Sequence, residues 1–85
     1  MRISSYPREF AQFIAVEINA GRENDCIITL SNQAGRILKM MGVSLLRGNN
    51  NILLNDLETL SAGSYLLEIK DVSGNFVYHS ELVKH

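Results

Sequence analysis

Apolar and polar side chains alternate along several short stretches of this chain, and that period of two constrains the fold more than any other feature. The clearest stretch is Phe13–Asn19, in which Ile14, Val16 and Ile18 share one face. Because successive side chains of a strand point to opposite faces of a sheet, this stretch predicts a strand with one buried face. Further strands are predicted on the same grounds at Cys26–Ser31, Arg36–Met41, Ile52–Leu54, Ser64–Lys70 and Phe76–Val83.

The alternation also predicts which side chains form the core. In the second predicted strand, we expect Ile28 and Leu30 to face inward. The fifth predicted strand should bury Tyr65, Leu67 and Ile69 against the same core.

Glycine and polar residues mark the predicted interruptions of these strands. Gly21–Asp25 and Gly48–Asn51 are predicted to be polar loops. In the third strand, Gly42 is expected to mark a bulge, after which Ser44–Leu46 continue the strand.

Two tetrapeptides share one turn pattern. Asn32–Gly35 and Asp71–Gly74 each begin with Asn or Asp and end with Gly. The first side chain can accept a hydrogen bond from the backbone ahead of it, and glycine supplies a positive φ. Because each tetrapeptide lies between two alternating stretches, each predicts a β-hairpin.

The stretch before the fifth strand has a different pattern. Leu57 and Leu60 are three residues apart, which predicts one helical or 3₁₀ turn that places both leucines under the edge of the sheet. Gly63 should end this turn. The motif Leu60-x-x-Gly63-x-Tyr65 is similar to the tyrosine corner of immunoglobulin-like sandwiches, in which a tyrosine bonds back to nearby backbone.

The spacing of the predicted elements indicates the architecture. About six or seven short strands with turn signals between them predict an all-β, immunoglobulin-like antiparallel β-sandwich. No linker, charge block or low-complexity segment divides the chain, so residues 1–85 are expected to form a single domain. A chain of this length has room for one modest core.

Charge and hydropathy exclude several classes of partner. Eight basic and nine acidic side chains give a formal net charge of −1, which predicts no nucleic-acid partner. No apolar run approaches the roughly 18–20 residues that cross a bilayer, so no membrane insertion is expected. The opening residues Met1–Pro7 lack the apolar segment of a signal peptide.

The side chains that could perform catalysis or bind a metal are scattered. The nine carboxylates fall in turns and at outward strand positions, where no two form an acid–base pair. Cys26, His79 and His85 lack the spacing of a metal site, and Cys26 is expected to be a small buried hydrophobic residue. The sequence therefore predicts a non-enzymatic module with no catalytic residue, metal or cofactor.

Several motifs follow one another in a definite order along the chain. They are Tyr6-Pro7, Asn32-x-x-Gly35-Arg36, Leu60-x-x-Gly63-x-Tyr65, Asp71-x-x-Gly74 and the closing Leu82-Val83-Lys84. Their order, spacing and distance from the end of the chain resemble the type A C-terminal sorting domain of the type IX secretion system, which occurs in proteins exported by Bacteroidetes. Arg8-Glu9 stands where that family has Asn-Pro, and Glu81 where it often has Lys.

The resemblance implies a function in protein export. Such domains are carried to the outer membrane, recognised there by the translocon and removed by a sortase-like protease. The passenger is then released or attached to a surface glycolipid. The protein would be secreted or held at the cell surface after periplasmic transit, with the signal peptide on the passenger. We therefore expect the 85 residues to be the tail of a longer protein.

Recognition by the translocon is expected at the end of the chain. A final strand near a sheet edge offers N–H and C=O groups that a partner strand can pair with. Leu82, Val83 and Lys84 would add side-chain specificity.

An alternative function is a stand-alone immunoglobulin-like module that binds a protein or a glycan and has no sorting role. The missing signal peptide and the Arg8-Glu9 departure favour this alternative. Exposed sheet edges also predict a weak homodimer, which Cys26 would cross-link if its side chain were exposed.

Overall fold

The computed structural model describes residues 1–74 and 77–85, so the predicted start of the last strand at Phe76 lies outside the described residues. The described residues form strands and no helix. The strands are β1 (Arg2–Tyr6), β2 (Glu9–Phe10), β3 (Ile14–Ala20), β4 (Asn24–Asn32), β5 (Ile37–Leu45), β6 (Gly48–Leu54), β7 (Gly63–Asp71) and β8 (Val77–Lys84).

The strands form two sheets that enclose the core. One sheet has the order β1-β3-β6 and the other the order β2-β8-β7-β4-β5. All strand pairs are antiparallel except β2–β8, which is parallel. The fold is thus an all-β, immunoglobulin-like sandwich, as the alternation predicted. Its buried apolar side chains are Phe10, Ile14, Val16, Ile18, Ala20, Cys26, Ile28, Leu30, Leu45, Leu54, Leu57, Tyr65, Leu67, Ile69 and Leu82.

The predicted inward faces are confirmed. Ile14, Val16 and Ile18 of β3 are buried, and so are the predicted inward residues of β4 and β7. Both predicted hairpins are present as well, between β4 and β5 and between β7 and β8. Gly35 and Gly74 have φ values of 82° and 79°, which is the positive φ that their turn pattern requires.

The loop predicted at Gly48–Asn51 is wrong, because these residues begin strand β6. Gly48 pairs with Ala20 of β3, and the pairing continues to Leu54. The strand can begin so early because the side chain of Asn50 forms hydrogen bonds with the main chain of Leu46, which closes the turn between β5 and β6. The hydrogen bonds of Asn50 therefore allow a tight turn where the sequence predicts a longer loop.

The bulge predicted at Gly42 is also wrong. Gly42 pairs with Ile27 in regular register, and the register shifts instead between Leu30 and Ser31. Because β5 holds no extra residue near Gly42, its glycine is not required by a bulge. The shift lies next to the hairpin turn, and beyond it Asn32 and Arg36 are still joined by a main-chain hydrogen bond at 3.0 Å. Strand β5 ends at Leu45.

Strands β1 and β2 were not predicted. In β1 only Ile3 is a large aliphatic residue, so its five residues carry little alternation. It forms because β3 offers a neighbouring edge, with Arg2 opposite Asn19 and Tyr6 opposite Ala15. Strand β2 has two residues, too few for any periodic signal. No described segment is a helix of the length and apolarity that crossing a membrane requires.

Candidate functional site

One end of the sandwich gathers most of the residues singled out in the sequence. Strands β4, β6 and β8 run towards this end, and β5 and β7 run away from it. The pairings of Asn32 with Tyr65 and of Gly63 with Lys84 bring three separate motifs together. We call this the motif end, defined by the turn Asn32–Arg36, the connection 57–63 and the chain terminus 82–85.

The turn Asn32–Arg36 is organised by the side chain of its first residue. The Asn32 Oδ1 atom accepts hydrogen bonds from the N–H groups of Ala34 and Arg36, each at 3.0 Å. The main chain adds a bond from Gly35 N–H to the Asn32 carbonyl at 3.0 Å. Asparagine thereby satisfies two backbone donors that the tight turn would otherwise leave to solvent. The side chain of Arg36 is exposed.

The connection before β7 is fixed by a tyrosine corner. The Tyr65 hydroxyl donates to the Ser61 carbonyl at 2.6 Å, and the ring contacts Phe10 edge-to-face with centroids 5.9 Å apart. One turn of chain precedes it, closed by the Leu60 N–H to Leu57 carbonyl bond at 3.1 Å. Leu57 is fully buried and Leu60 packs against the core, so the predicted turn under the sheet is confirmed.

Gly63 joins this turn to β7 with a φ of 145°. L-residues rarely adopt that value, because the β-carbon would clash with the main chain. The expectation that Gly63 ends the turn agrees with the start of β7 at this residue.

The chain terminus is held by strand β2. The Val83 N–H donates to the Arg8 carbonyl at 2.9 Å, and the His85 N–H donates to the Phe10 carbonyl at 3.1 Å. The exposed side chains of Glu9 and His85 add an ion pair at 3.1 Å when the imidazole is protonated. Because Phe10 is fully buried, β2 is anchored in the core and covers this part of the β8 edge.

The three residues predicted to supply specificity point in two directions. Leu82 and Lys84 face inward and are buried, whereas Val83 is 40% exposed. The Lys84 ammonium donates to a main-chain oxygen of His85 at 2.9 Å and lies 3.5 Å from the Glu58 carbonyl. Of the three, only Val83 therefore presents its side chain to solvent.

The hydrogen bonds of β8 show which part of its outer edge has no partner among the described strands. Since Val83 and His85 direct their N–H groups towards β2, odd-numbered residues of β8 face outward along the sheet. Val77, His79 and Glu81 thus direct backbone groups towards an edge where no described strand pairs with them. The free part of the edge lies before the chain terminus, not at it.

Tyr6-Pro7 lies at the motif end, and Asp71–Gly74 does not. Tyr6 is half exposed, and a cis peptide bond joins it to Pro7 just before β2. Asp71–Gly74 forms the turn at the opposite end of the sandwich, with the Gly74 N–H bonded to the Asp71 carbonyl at 3.1 Å. The Ser73 hydroxyl donates to Asp71 Oδ2 at 2.7 Å. The five motifs are therefore not one continuous surface.

Two shallow grooves flank the tip of the β4–β5 hairpin at the motif end. One, of about 420 Å³, lies between the hairpin tip and residues 59–65. The other, of about 460 Å³, lies on the outer face of the sheet beside Leu66 and Glu81. Gln33 and Tyr65 line both. Their linings are neutral or apolar apart from Glu81.

The chemically reactive side chains are dispersed in the structure. Cys26 is buried, as predicted, and its burial raises the pKa of the thiol, with Asp25 and Asp71 adding to the effect. A buried thiol cannot cross-link two copies in the native state. His79 is exposed and lies 3.0 Å from Glu68. Within residues 1–74 and 77–85, no three His, Cys, Asp or Glu side chains are grouped to hold a metal ion.

Two structurally important residues were missed by the sequence analysis. Phe10 anchors β2, but a single aromatic residue in a polar segment carries no periodic signal. Asn50 donates from Nδ2 to the carbonyls of Ile18, Leu46 and Gly48 at 2.8–3.2 Å, and accepts from the Leu46 N–H at 2.9 Å. Its position among three asparagines gave no sign which of them would be structural.

The fold and the motif end together define an immunoglobulin-like β-sandwich domain, whose distinctive residues shape turns and the chain terminus. The chain belongs to the family described as the secretion system C-terminal sorting domain, whose model matches residues 4–84. This is the sorting domain of the type IX secretion system. A search of curated proteins gave no significant match.

Family membership has coarse functional consequences. Sorting domains of this kind are recognised by the type IX secretion machinery, and they imply a secreted or cell-surface protein. Sorting signals are generally non-catalytic.

Proposed function

We propose that this domain directs a passenger protein through the type IX secretion system to the cell surface or the medium. The observation that carries the proposal is the family match, which spans residues 4–84. The passenger precedes Met1, the outer-membrane translocon recognises the folded domain, and a sortase-like protease then removes it. The passenger is released or attached to a surface glycolipid.

The geometry supports recognition at the motif end. Strand β1 runs towards the motif end, so Met1 lies at the opposite end, beside Val77 and Tyr78. The described residues extend 36 Å along their longest axis. A passenger joined before Met1 is therefore attached at the opposite end of the domain, which leaves the motif end accessible.

The partner contacts that we propose are side-chain contacts with the motif end. Strand β2 already pairs with the terminal part of the β8 edge, so a partner strand cannot add there without removing Phe10 from the core. Val83, Tyr6 and the two hairpin grooves remain exposed for recognition. We therefore place recognition on exposed side chains of the motif end and not on the edge of the final strand.

A fusion experiment tests the proposed function. The domain is placed after a signal peptide and a reporter in a type IX-competent bacterium, and the reporter is measured in periplasm, surface and medium. We expect export of the reporter, and its retention in the periplasm when Val83–His85 is deleted. Periplasmic retention of the intact fusion contradicts the sorting function and supports the interaction-module alternative.

A matched pair of substitutions tests the recognised surface. Val83 and Val77 lie on the same face of β8, at the motif end and at the opposite end, and are 40% and 55% exposed. We expect Val83→Asp to lower export at least tenfold and Val77→Asp to leave it within twofold. Equal effects of the two substitutions contradict recognition at the motif end.

A further inference from the structure

Lys84 is a charged side chain placed where charge is costly. It is 6% exposed and lies on the inward face of β8, next in register after the buried Leu82. Burying an ammonium group is unfavourable unless hydrogen-bond acceptors replace its water. If a partner contacted the lysine ammonium directly, we would expect the lysine at an exposed position such as 83.

The acceptors of this ammonium belong to two separate segments. One is a main-chain oxygen of His85 at 2.9 Å, in the chain terminus, and the other is the Glu58 carbonyl at 3.5 Å, in the turn that precedes Gly63. A short bond from an ammonium is stronger than a neutral one because the donor is charged, so the bond to His85 is the stronger of the two and the contact with Glu58 the weaker. The Lys84 side chain thus links residues 57–63 to the chain terminus.

The backbone of Lys84 occupies the same junction. It pairs with Gly63 of β7 on one side and with Phe10 of β2 on the other. Lys84 therefore lies in the chain terminus and contacts both the connection 57–63 and strand β2. Loss of its ammonium would loosen the connection 57–63, which lines the groove beside the hairpin tip.

We propose that Lys84 is a positioning residue, which acts through Glu58 and His85 to hold the motif end in the shape that the secretion machinery recognises. In this proposal the secretion machinery does not contact the charged ammonium group of Lys84 directly. This inference rests on the proposed sorting function and names the residue that maintains the recognised surface.

The first test compares two neutral substitutions with a control at the other end of the molecule. Lys84→Met keeps the aliphatic stem and removes every donor, whereas Lys84→Gln keeps an N–H donor. Tyr78→Phe removes the hydroxyl contact with Ser5 at 3.0 Å, which links the two sheets without involving the turn Asn32–Arg36, the connection 57–63 or residues 82–85. Export of the reporter and amide hydrogen exchange of residues 58–63 are measured for each.

We expect Lys84→Met to speed exchange at residues 58–63 at least tenfold and to lower export at least tenfold. Lys84→Gln should give smaller changes in both, and Tyr78→Phe should change neither by more than twofold. Equal export by the Met and Gln variants overturns the proposal, since a charge-reading partner would not distinguish them. If Lys84→Met does not fold, the comparison of Lys84→Gln with the native chain decides in the same way: unchanged exchange at residues 58–63 contradicts positioning.

The second test moves the charge to the surface. Glu81 is exposed on β8, so Glu81→Lys restores a positive charge near the terminus when combined with Lys84→Met. We expect the double variant to be exported as poorly as Lys84→Met, with Glu81→Lys alone close to the native level. Rescue by the double variant overturns the proposal. Failure of the native fusion to be exported at all would instead contradict the sorting function.

Discussion

The hydroxyl of Tyr65 lies 2.6 Å from the main-chain carbonyl oxygen of Ser61. This short hydrogen bond joins the beginning of β7 to the connection that precedes it. The ring of Tyr65 meanwhile packs on Phe10, which anchors β2. One side chain therefore fixes both the connection 57–63 and the short strand that holds the chain terminus.

Replacing Tyr65 with Phe should destabilise the domain by about 1–2 kcal/mol, because it leaves a partly buried carbonyl without its partner while the ring contact remains. The urea midpoint of unfolding measures the effect. Tyr6→Phe is the control, since Tyr6 is 50% exposed, and should stay within about 0.5 kcal/mol. Unchanged midpoints for both variants would contradict a structural role of the corner.

Gly63→Ala should destabilise by about 1–3 kcal/mol, because alanine is strained at a φ of 145°. Apart from its own chain neighbours, a new β-carbon would have no heavy atom within 4 Å either there or at Gly42, so the difference between the two sites is one of backbone conformation. A thermal melt should show a fall of roughly 4–8 °C per kcal/mol for a domain of this size. Gly42→Ala, at a position without positive φ, should melt at or slightly above the native temperature. A native melting temperature for Gly63→Ala would show that the junction tolerates a side chain.

Asn50→Ala should destabilise by about 1–3 kcal/mol, since it removes the donors and the acceptor that close the β5–β6 turn. Asn51→Ala is the matched control, because Asn51 is the next residue on the same strand and is exposed. It should change stability by no more than about 0.5 kcal/mol. Chemical unfolding of the two variants side by side measures the difference, and equal losses would disprove the special role of Asn50.

The stability of the domain should contain a pH-dependent contribution from Cys26. Burial raises the pKa of this thiol in the folded state, whereas in the unfolded chain it ionises near its ordinary value of about 8.5. The unfolded state therefore loses its proton first as the pH rises. The contribution is complete below about pH 8.5 and is lost as the pH approaches the folded-state pKa.

Unfolding midpoints at several pH values above 8 measure this contribution. The native chain should lose more stability over that range than Cys26→Ala, which has no thiol to ionise. Iodoacetamide should also react with the native thiol only as fast as the domain opens. Parallel pH profiles for the two proteins would mean that the thiol ionises equally in both states.

Much of the fold could be predicted from local patterns. Alternation identified β3, β4 and β7 with their inward residues, and turn chemistry identified both hairpins. These features depend on neighbouring residues, whose side-chain period and backbone preferences act within a few positions. The family resemblance, based on Asn32, Gly35, Gly63 and Tyr65 among others, is confirmed by the family model that matches residues 4–84. Its motifs consist mostly of turn residues, which local patterns identify.

The errors share a cause as well. The sequence predicts a loop at Asn50 because one of its partners, the Ile18 carbonyl, lies on another strand and far away in the chain. Gly42 was assigned a bulge because a glycine in a strand has several structural meanings, and only its pairing with Ile27 distinguishes them.

By itself the sequence determined where apolar and polar side chains alternate, where the chain turns and which side chains are buried. The tertiary structure alone decided that β2 covers the end of β8, that Lys84 points inward while Val83 points out, and that Asp71–Gly74 lies away from the other motifs. The reason is physical. Alternation specifies the two faces of a strand, but which strand becomes its neighbour depends on pairing and burial between residues far apart in the chain. For a domain that functions by being recognised, that second level decides which of its residues a partner can reach.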